Sequence, residues 1–306
     1  MNTTTKVGAY ALGLAVLFGA AFTIGGLVGP VDDDDSGAGH HDAATSPSKV
    51  TQPAGLAVSE AGYTLRPLQA PAAPAVESAL RFQVIDTDGN AVTSFDTAHD
   101  KKLHLIVVRR DLAHYQHLHP TMETDGTWTI SLAVPEAGQY RMFADFQPSE
   151  HEKGLTLGAD FAVNGDYSAR ALPQVASSSS VDGYDVALSG SLNAGKTSKL
   201  TLEVSKDGKP ITDLEPYLGA YGHLVALRDG DAAYLHVHPD GEPGDGKTKA
   251  GPSIVFYAEI PSAGKYRLYL DFKHGGTVRT VEFTVEASLA KTVESEDDHE
   301  GGHGGH

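Results

Sequence analysis

The sequence contains no cysteine, and this absence excludes several kinds of chemistry. Without thiols the chain cannot form disulfides, iron–sulfur clusters, zinc ribbons or the thiolate copper centres of blue-copper proteins, and thiol catalysis and a lipoprotein anchor are excluded as well. Met is also scarce, with 3 residues, which makes a soft Cu(I) site unexpected. The groups left for chemistry are carboxylates, hydroxyls and imidazoles, and His is plentiful with 15 residues.

Basic residues are few. The chain has 23 Lys and Arg against 40 Asp and Glu, which gives a formal net charge of −17. Such a surface repels phosphate backbones, so we expect no nucleic-acid partner. The length of 306 residues with 40% hydrophobic residues predicts folded cores in about two domains.

The N-terminal region reads as a membrane segment. Val7 to Val31 contains no charged residue, Lys6 precedes it and the run Asp32 to Asp35 follows it. This length suits a single membrane-spanning helix with its N-terminus in the cytoplasm and the remaining chain outside the membrane. The alternative is a signal peptide cleaved near Gly19 to Ala21, in which case the protein is secreted.

Changes in composition along the chain predict the domain organisation. Stretches rich in Asp, Ser, Gly and His interrupt the apolar pattern near both ends and once in the middle of the chain. The predicted division is a membrane anchor or signal segment at 1–31, a disordered acidic and His-containing linker at 32–58, a first repeat at 59–165, a Ser-rich linker at 166–181, a second repeat at 182–287 and a disordered acidic tail rich in His and Gly at 288–306.

The two folded segments are copies of one unit. His117-x-His119-Pro120 in the first copy matches His236-x-His238-Pro239 in the second, and His104 matches His223 at the same offset. Each copy consists of short runs with period-2 alternation separated by Gly, Pro and Asp-Gly, and no run shows a helical period. The fold class predicted is all-β, with two tandem antiparallel β-sandwiches of immunoglobulin-like or cupredoxin-like type after one N-terminal transmembrane helix.

The repeated His residues predict a metal site. Residues two apart in a strand project to the same face, so the two His of each pair can reach one ion, with a third His and an Asp nearby as further ligands or as an acceptor for an imidazole N–H. Without Cys, the ligand set favours a divalent ion, Cu(II) or Zn(II). The candidate metal residues are His104, His117, His119, Asp145, His223, His236, His238 and Asp271.

The same residues could instead form a buried polar network. His104 shares its strand face with Ile106 and Val108, and a single His on an apolar face is more often a hydrogen-bonded core residue than a ligand. We assign the repeated Tyr and Arg residues to structure, because such side chains fill corners and cover apolar edges. These are Tyr140, Arg141, Tyr266 and Arg267.

Two motifs match known signatures in letters and fail in context. Gly190 to Thr197 fits the phosphate-binding loop pattern, but an alternating strand follows it where that loop needs a helix, so we expect no nucleotide. His299 to His303 fits the zinc-protease pattern, but its paired Gly cannot hold the required helix.

The motifs His117-Leu118-His119-Pro120 and His236-Val237-His238-Pro239 resemble those of membrane-anchored extracytoplasmic tandem β-sandwich proteins of high-GC bacteria. These proteins are similar to YtkA-like and cupredoxin-like domains and are described as heavy-metal-binding. The resemblance implies metal handling near the membrane. The run Leu235 to His238 is also similar to copper/zinc superoxide dismutase.

These observations favour a membrane-anchored, outward-facing protein that buffers or delivers Cu(II) or Zn(II) and exchanges it with a metal-donor or metal-acceptor protein. A binding protein is favoured over an enzyme. The first alternative is a non-metal structural or adhesion-like tandem β-sandwich with buried His–Asp networks, and the second is a metalloenzyme of the superoxide dismutase type. The sequence leaves open whether each copy has its own site or both share one.

Overall fold

A computed structural model describes residues 52–235 and 237–289. The predicted membrane segment, most of the predicted linker after it, most of the C-terminal tail and His236 lie outside these residues. Within the described part of the chain, no helix has the length and apolar character needed to cross a membrane. The described residues form twenty β-strands in two repeats.

The first repeat contains nine strands. They are β1 (Ser59–Glu60), β2 (Tyr63–Gln69), β3 (Ser78–Ile85), β4 (Leu103–Arg109), β5 (Gln116–Leu118), β6 (Thr121–Met122), β7 (Trp128–Leu132), β8 (Gly138–Phe146) and β9 (Leu155–Val163). One sheet has the order β1-β2-β3-β7-β6 and the other β5-β4-β8-β9.

The second repeat contains eleven strands. They are β10 (Ser178–Val181), β11 (Tyr184–Ser189), β12 (Leu192–Ala194), β13 (Lys196–Lys206), β14 (Lys209–Pro210), β15 (Gly222–Arg228), β16 (Tyr234–Leu235), β17 (Val237–Pro239), β18 (Ser253–Ile260), β19 (Gly264–His274) and β20 (Thr277–Leu289). One sheet has the order β10-β11-β13-β18-β17 with β14 beside β13, and the other β12-β20-β19-β15-β16. The predicted fold of two tandem β-sandwiches is thus confirmed.

The segments that carry the His pairs differ from the prediction of one strand each. In the first repeat, β5 ends at Leu118 and pairs with β4, while β6 begins at Thr121 and pairs with β7 in the opposite sheet. In the second repeat, β16 pairs with β15 and β17 pairs with β18. The chain therefore crosses from one sheet to the other at each His pair, at the edge of the sandwich, where a strand can change partners.

Six strands were not expected from the sequence, namely the short strands β1, β6, β12 and β14 and the longer strands β2 and β10. The strand β2 contains Pro67, which lacks a backbone N–H and weakens the strand pattern. The strand β10 is the Ser run that the prediction assigned to the linker, and it pairs with β11 through its backbone. Both strands depend on backbone pairing rather than on alternating apolar side chains, so their composition carried little signal.

The strand β4 is buried on both faces. Leu103, Leu105 and Val107 point into the core of the first sandwich, whereas Ile106 and Val108 belong to a separate apolar cluster shared with the second repeat. That cluster also contains Leu112, Phe143, Val225, Leu227, Ala232 and Tyr269. The sheet that contains β4 and β8 therefore packs against the sheet that contains β15 and β19, and we call these two the inner sheets. Burial of each large side chain between them contributes about 1.5 to 3 kcal/mol.

The residues from 54 to 58, which the prediction placed in the linker, contact both repeats. Arg141 on β8 donates to the carbonyl oxygens of Gly55 and Leu56, and Ala54 forms a backbone bridge with Tyr234 of the second repeat. Gly158 permits this approach, because a Cβ there would lie 2.1 Å from the Gly55 carbonyl oxygen. The segment thus lies across the junction between the two sandwiches.

The structural assignment of the repeated Tyr residues is confirmed. The Tyr140 hydroxyl donates to the Glu136 carbonyl at 2.8 Å, and the Tyr266 hydroxyl donates to the Ser262 carbonyl at 2.7 Å. Each hydroxyl thereby ties a strand to the loop that precedes it.

Candidate metal centre

The strand register places a His opposite an Asp in each inner sheet. His104 on β4 faces Asp145 on β8, and His223 on β15 faces Asp271 on β19. Because the two inner sheets pack against each other, these four residues of the two repeats meet at one end of the shared apolar cluster. His104, Asp145 and His223 line one cavity of about 110 Å³, and Asp271 contacts His117, which lines it as well.

Three His residues of the first repeat form the centre of this cluster. His104, His117 and His119 each offer a ring nitrogen, and these nitrogens lie within 4.8 Å of one another. The ring of His104 lies 5.4 Å from that of His117 and 5.1 Å from that of His119. His119 lies beyond the end of β5, yet its ring is 4.8 Å from that of His117.

The tautomer of His104 is fixed by a backbone carbonyl. Its Nε2 lies 3.1 Å from the Ala98 carbonyl oxygen. A carbonyl oxygen can only accept a hydrogen bond, so Nε2 carries the proton and Nδ1 of the neutral ring presents a lone pair. This Nδ1 points at His117.

The tautomer of His117 is fixed across the repeat boundary. Its Nδ1 lies 2.8 Å from Oδ2 of Asp271, and the two side chains are 6% and 3% exposed. The carboxylate accepts the Nδ1 proton, so the lone pair of the neutral imidazole is on Nε2. Thr280 donates to the other carboxylate oxygen of Asp271 at 2.5 Å and holds it in place.

In the neutral form of both rings, two lone pairs face each other. His104 Nδ1 and His117 Nε2 lie 3.1 Å apart, and with both rings neutral neither has a proton to donate to the other. A cation between them would remove this conflict. Two imidazole nitrogens bound tetrahedrally at ~2.0 to 2.1 Å from one ion lie about 3.3 Å apart, which is close to the observed spacing.

The second repeat adds a fourth imidazole. His223 Nε2 lies 2.9 Å from the Tyr217 carbonyl oxygen and 3.0 Å from that of Leu218, so Nδ1 has the lone pair, as in His104. The His223 ring stacks 6.3 Å from the His104 ring and lies 6.1 Å from the His117 ring. The repeats thus contribute to one shared cluster.

Burial keeps three of these imidazoles neutral. Desolvation, followed by the nearby His117, lowers the pKa of His104 to about 3, and the same causes lower the pKa of His119 and of His223 to about 4. Neutral imidazole is the form that binds a metal ion. His119 Nε2 is also buried and has no hydrogen-bond partner among the described residues.

The two repeated Asp residues have different surroundings. Asp271 accepts the His117 proton, which is the acceptor role and not that of a ligand. Asp145 lines the cavity and accepts from Thr156 at 3.3 Å, and desolvation raises its pKa to about 6. Of the remaining predicted residues, His238 is exposed and lines the same cavity, and His236 lies outside the described residues.

His99 is a member of the cluster that the sequence did not indicate. Its ring lies 5.4 Å from that of His223 and 6.1 Å from that of His104. Comparison of the repeats could not reveal it, because the corresponding position holds Leu218. The available signal was its place five residues before His104, on the turn that leads into β4.

The fold and this cluster define a tandem β-sandwich protein whose two repeats enclose a group of imidazoles. The chain belongs to the family described as Domain of unknown function (DUF8832), which matches residues 57–165 and 179–288. These two matches correspond to the two repeats. The matched family is not a YtkA-like or cupredoxin-like one, and no curated protein matches the sequence.

Solved structures similar to this chain include bacterial surface proteins. The Escherichia coli adhesin FdeC is 14% identical, with a TM-score of 0.23 and coverage of 76% of this chain and 66% of that one. The Yersinia pseudotuberculosis adhesin InvE is 12% identical, with a TM-score of 0.21 and coverage of 73% and 58%. This chain thus spans less than two thirds of either structure, and at these scores the likeness carries no argument about function.

Proposed function

We propose that this protein binds one divalent transition-metal ion, Cu(II) or Zn(II), in a site that its two repeats share, and that it buffers or delivers this ion outside the membrane. The observation that carries the proposal is the 3.1 Å contact between His104 Nδ1 and His117 Nε2, in which two neutral rings present lone pairs to each other. A bound cation turns this repulsive arrangement into two coordinate bonds.

The outer contacts support the same function. Metal-bound imidazoles almost always donate their other ring N–H to a carbonyl or a carboxylate, which orients the ring. His104 and His223 donate to carbonyls, and His117 donates to Asp271. His104, His117, His119 and His223 are the ligands in this proposal. Four imidazoles without a thiolate suit Cu(II) or Zn(II).

The test measures metal content and affinity on the full chain. The parent variant carries Ser in place of His40, His41, His299, His303 and His306, so that binding by these His residues does not obscure the result. We expect one tightly bound Cu(II) or Zn(II) per chain in this parent. We expect a loss of at least about 100-fold in affinity when His104, His117 and His119 are all replaced by Ala.

A matched control replaces three other His residues of the described chain, His114, His151 and His274, with Ala. This control should keep the affinity of the parent, because His114 contacts Glu136, His151 contacts Lys153 and His274 contacts Tyr184 and Asp213, and none of these contacts involves the cluster. Equal binding by the parent and the triple variant of the cluster would refute the proposed site.

A second candidate is a structural role without metal, in which the His and Asp residues form a buried network that holds the sandwiches together. The contact that favours it is the buried hydrogen bond between His117 and Asp271, which joins the two repeats. The two candidates differ in response to a chelator. A metal protein gains about 2.7 kcal/mol of stability at an ion concentration 100 times its Kd, and a chelator removes that gain. A structural protein melts at the same temperature with and without ion.

A further inference from the structure

Two tight turns, one from each repeat, lie beside the His cluster. Ala98 and Lys101 exchange backbone hydrogen bonds around His99 and Asp100, and Tyr217 and Ala220 do the same around the corresponding pair of the second repeat, Leu218 and Gly219. The turns touch each other, since a Cβ on Gly219 would lie 3.9 Å from the Cα of His99.

The first turn has an unusual residue at a demanding position. His99 and Asp100 have φ angles of 49° and 62°, as in a type I′ turn, where Asn and Gly are preferred. A left-handed conformation of a residue other than Gly costs free energy and is retained where the surroundings hold it, often at functional sites. The carbonyl of Ala98, at the start of this turn, is the one that orients His104.

The corresponding turns differ in one respect that bears on exchange of an ion. Leu218 is 8% exposed, whereas His99 is exposed to solvent and its ring is near those of His104 and His223. An imidazole that reaches both the solvent and the buried cluster can hold an ion while the buried ligands are replaced one at a time.

We propose that His99 is a transfer ligand, through which Cu(II) or Zn(II) passes between the buried His cluster and an outside acceptor that offers its own nitrogen or oxygen ligands. This inference rests on the proposed function and specifies how the site exchanges its ion. The imidazole of His99 binds the departing ion as a buried imidazole releases it, and the acceptor then displaces His99. No electron or covalent bond within the protein changes.

The test is the variant His99→Asn in the full chain that lacks His40, His41, His299, His303 and His306. Asn tolerates the left-handed turn, so the Ala98 carbonyl should still orient His104 while the imidazole is removed. The probes are Zn(II) and Cu(II), each transferred to a chromogenic chelator in stopped-flow measurements. We expect transfer to slow by about tenfold while the Kd stays within about threefold of the parent.

The matched control is His151→Asn, because His151 contacts Tyr63 and Lys153 and not the cluster. It should transfer the ion at the rate of the parent. An unchanged rate in His99→Asn, with the ion still bound, overturns this inference alone, and a rise of more than tenfold in the Kd assigns His99 to the resting site instead. If the parent binds no ion, the proposed function and this inference both fail.

Discussion

The two repeats share a fold and a set of residues, yet they contribute differently to the site between them. The first repeat provides the triad of His104, His117 and His119, and the second provides His223 and the acceptor Asp271. Duplicated positions therefore need not build duplicated sites. When two copies pack through the sheet faces that carry their His residues, one copy can supply most of the ligands, and the other can supply one ligand and the carboxylate that orients a ligand of the first.

The largest expected difference is in the loss of metal affinity when the corresponding residues His104 and His223 are replaced. His104→Ala removes a member of the triad and should weaken metal binding by at least about 100-fold, whereas His223→Ala should weaken it by about tenfold. Affinity measured by competition with a chelator in the full chain provides the comparison. Equal losses would show that the ion lies midway between the repeats and not within the triad.

The next difference concerns the corresponding Asp residues. Asp271→Asn removes the carboxylate that accepts the His117 proton, so we expect about tenfold weaker metal binding and about 1 to 3 kcal/mol less stability. Calorimetric titration and urea unfolding measure the two effects. A variant with unchanged affinity would show that the contact between Asp271 and His117 does not orient a ligand.

Asp145→Asn should raise the stability of the metal-free protein, whereas Asp271→Asn should lower stability. Desolvation raises the pKa of Asp145 to about 6 in the folded state, above the value of 3.8 for an exposed Asp. The folded state therefore holds this proton more tightly, and the carboxyl destabilises the fold progressively from pH 3.8 to about pH 6 and fully above it.

The variant Asp145→Asn should accordingly be about 1 to 2 kcal/mol more stable than the parent at pH 7.5 and equal to it near pH 4. Urea unfolding at the two pH values, with a chelator present, measures this. Lower stability of the variant at pH 7.5 would show that the ionised carboxylate has a stabilising partner.

The smallest expected effect lies in the apolar contact between the repeats. Tyr269 stacks on Tyr115 at 4.0 Å and donates to the Leu112 carbonyl at 2.6 Å, while Phe143, at the corresponding position, has no hydroxyl. Tyr269→Phe keeps the ring and should cost about 1 kcal/mol in thermal unfolding, with unchanged metal affinity. Tyr257→Phe, at an exposed site, is the control and should cost nothing measurable.

Much of the fold could be predicted from alternation. Segments such as 103–109 and 253–260 carry apolar residues at every second position or on both faces, which predicts a strand in each, and they form β4 and β18. The crossing of the chain between sheets at each His pair could not be predicted, because it depends on which strands lie nearby at the edge of the sandwich.

Most residues of the candidate site could be predicted from the sequence, but the way in which they come together could not. The repeat marked His104, His117 and His223, since these positions are the same in both copies. It could not identify His99, because the corresponding position holds Leu218. It also could not show that the other repeat, and not the core of the same sandwich, covers Ile106 and Val108.

The sequence by itself determined the all-β class, the duplication and the residue types available for chemistry, because the period of apolar residues and the lack of Cys are local facts. Only the tertiary structure decided that the two copies share one cluster. Pairing of His117 with Asp271 depends on two sheets packing face to face, and the protonated nitrogen of each imidazole depends on carbonyls and carboxylates that lie far away in the chain or in a neighbouring turn. Those contacts arise from the packing of the complete chain, which no single segment encodes.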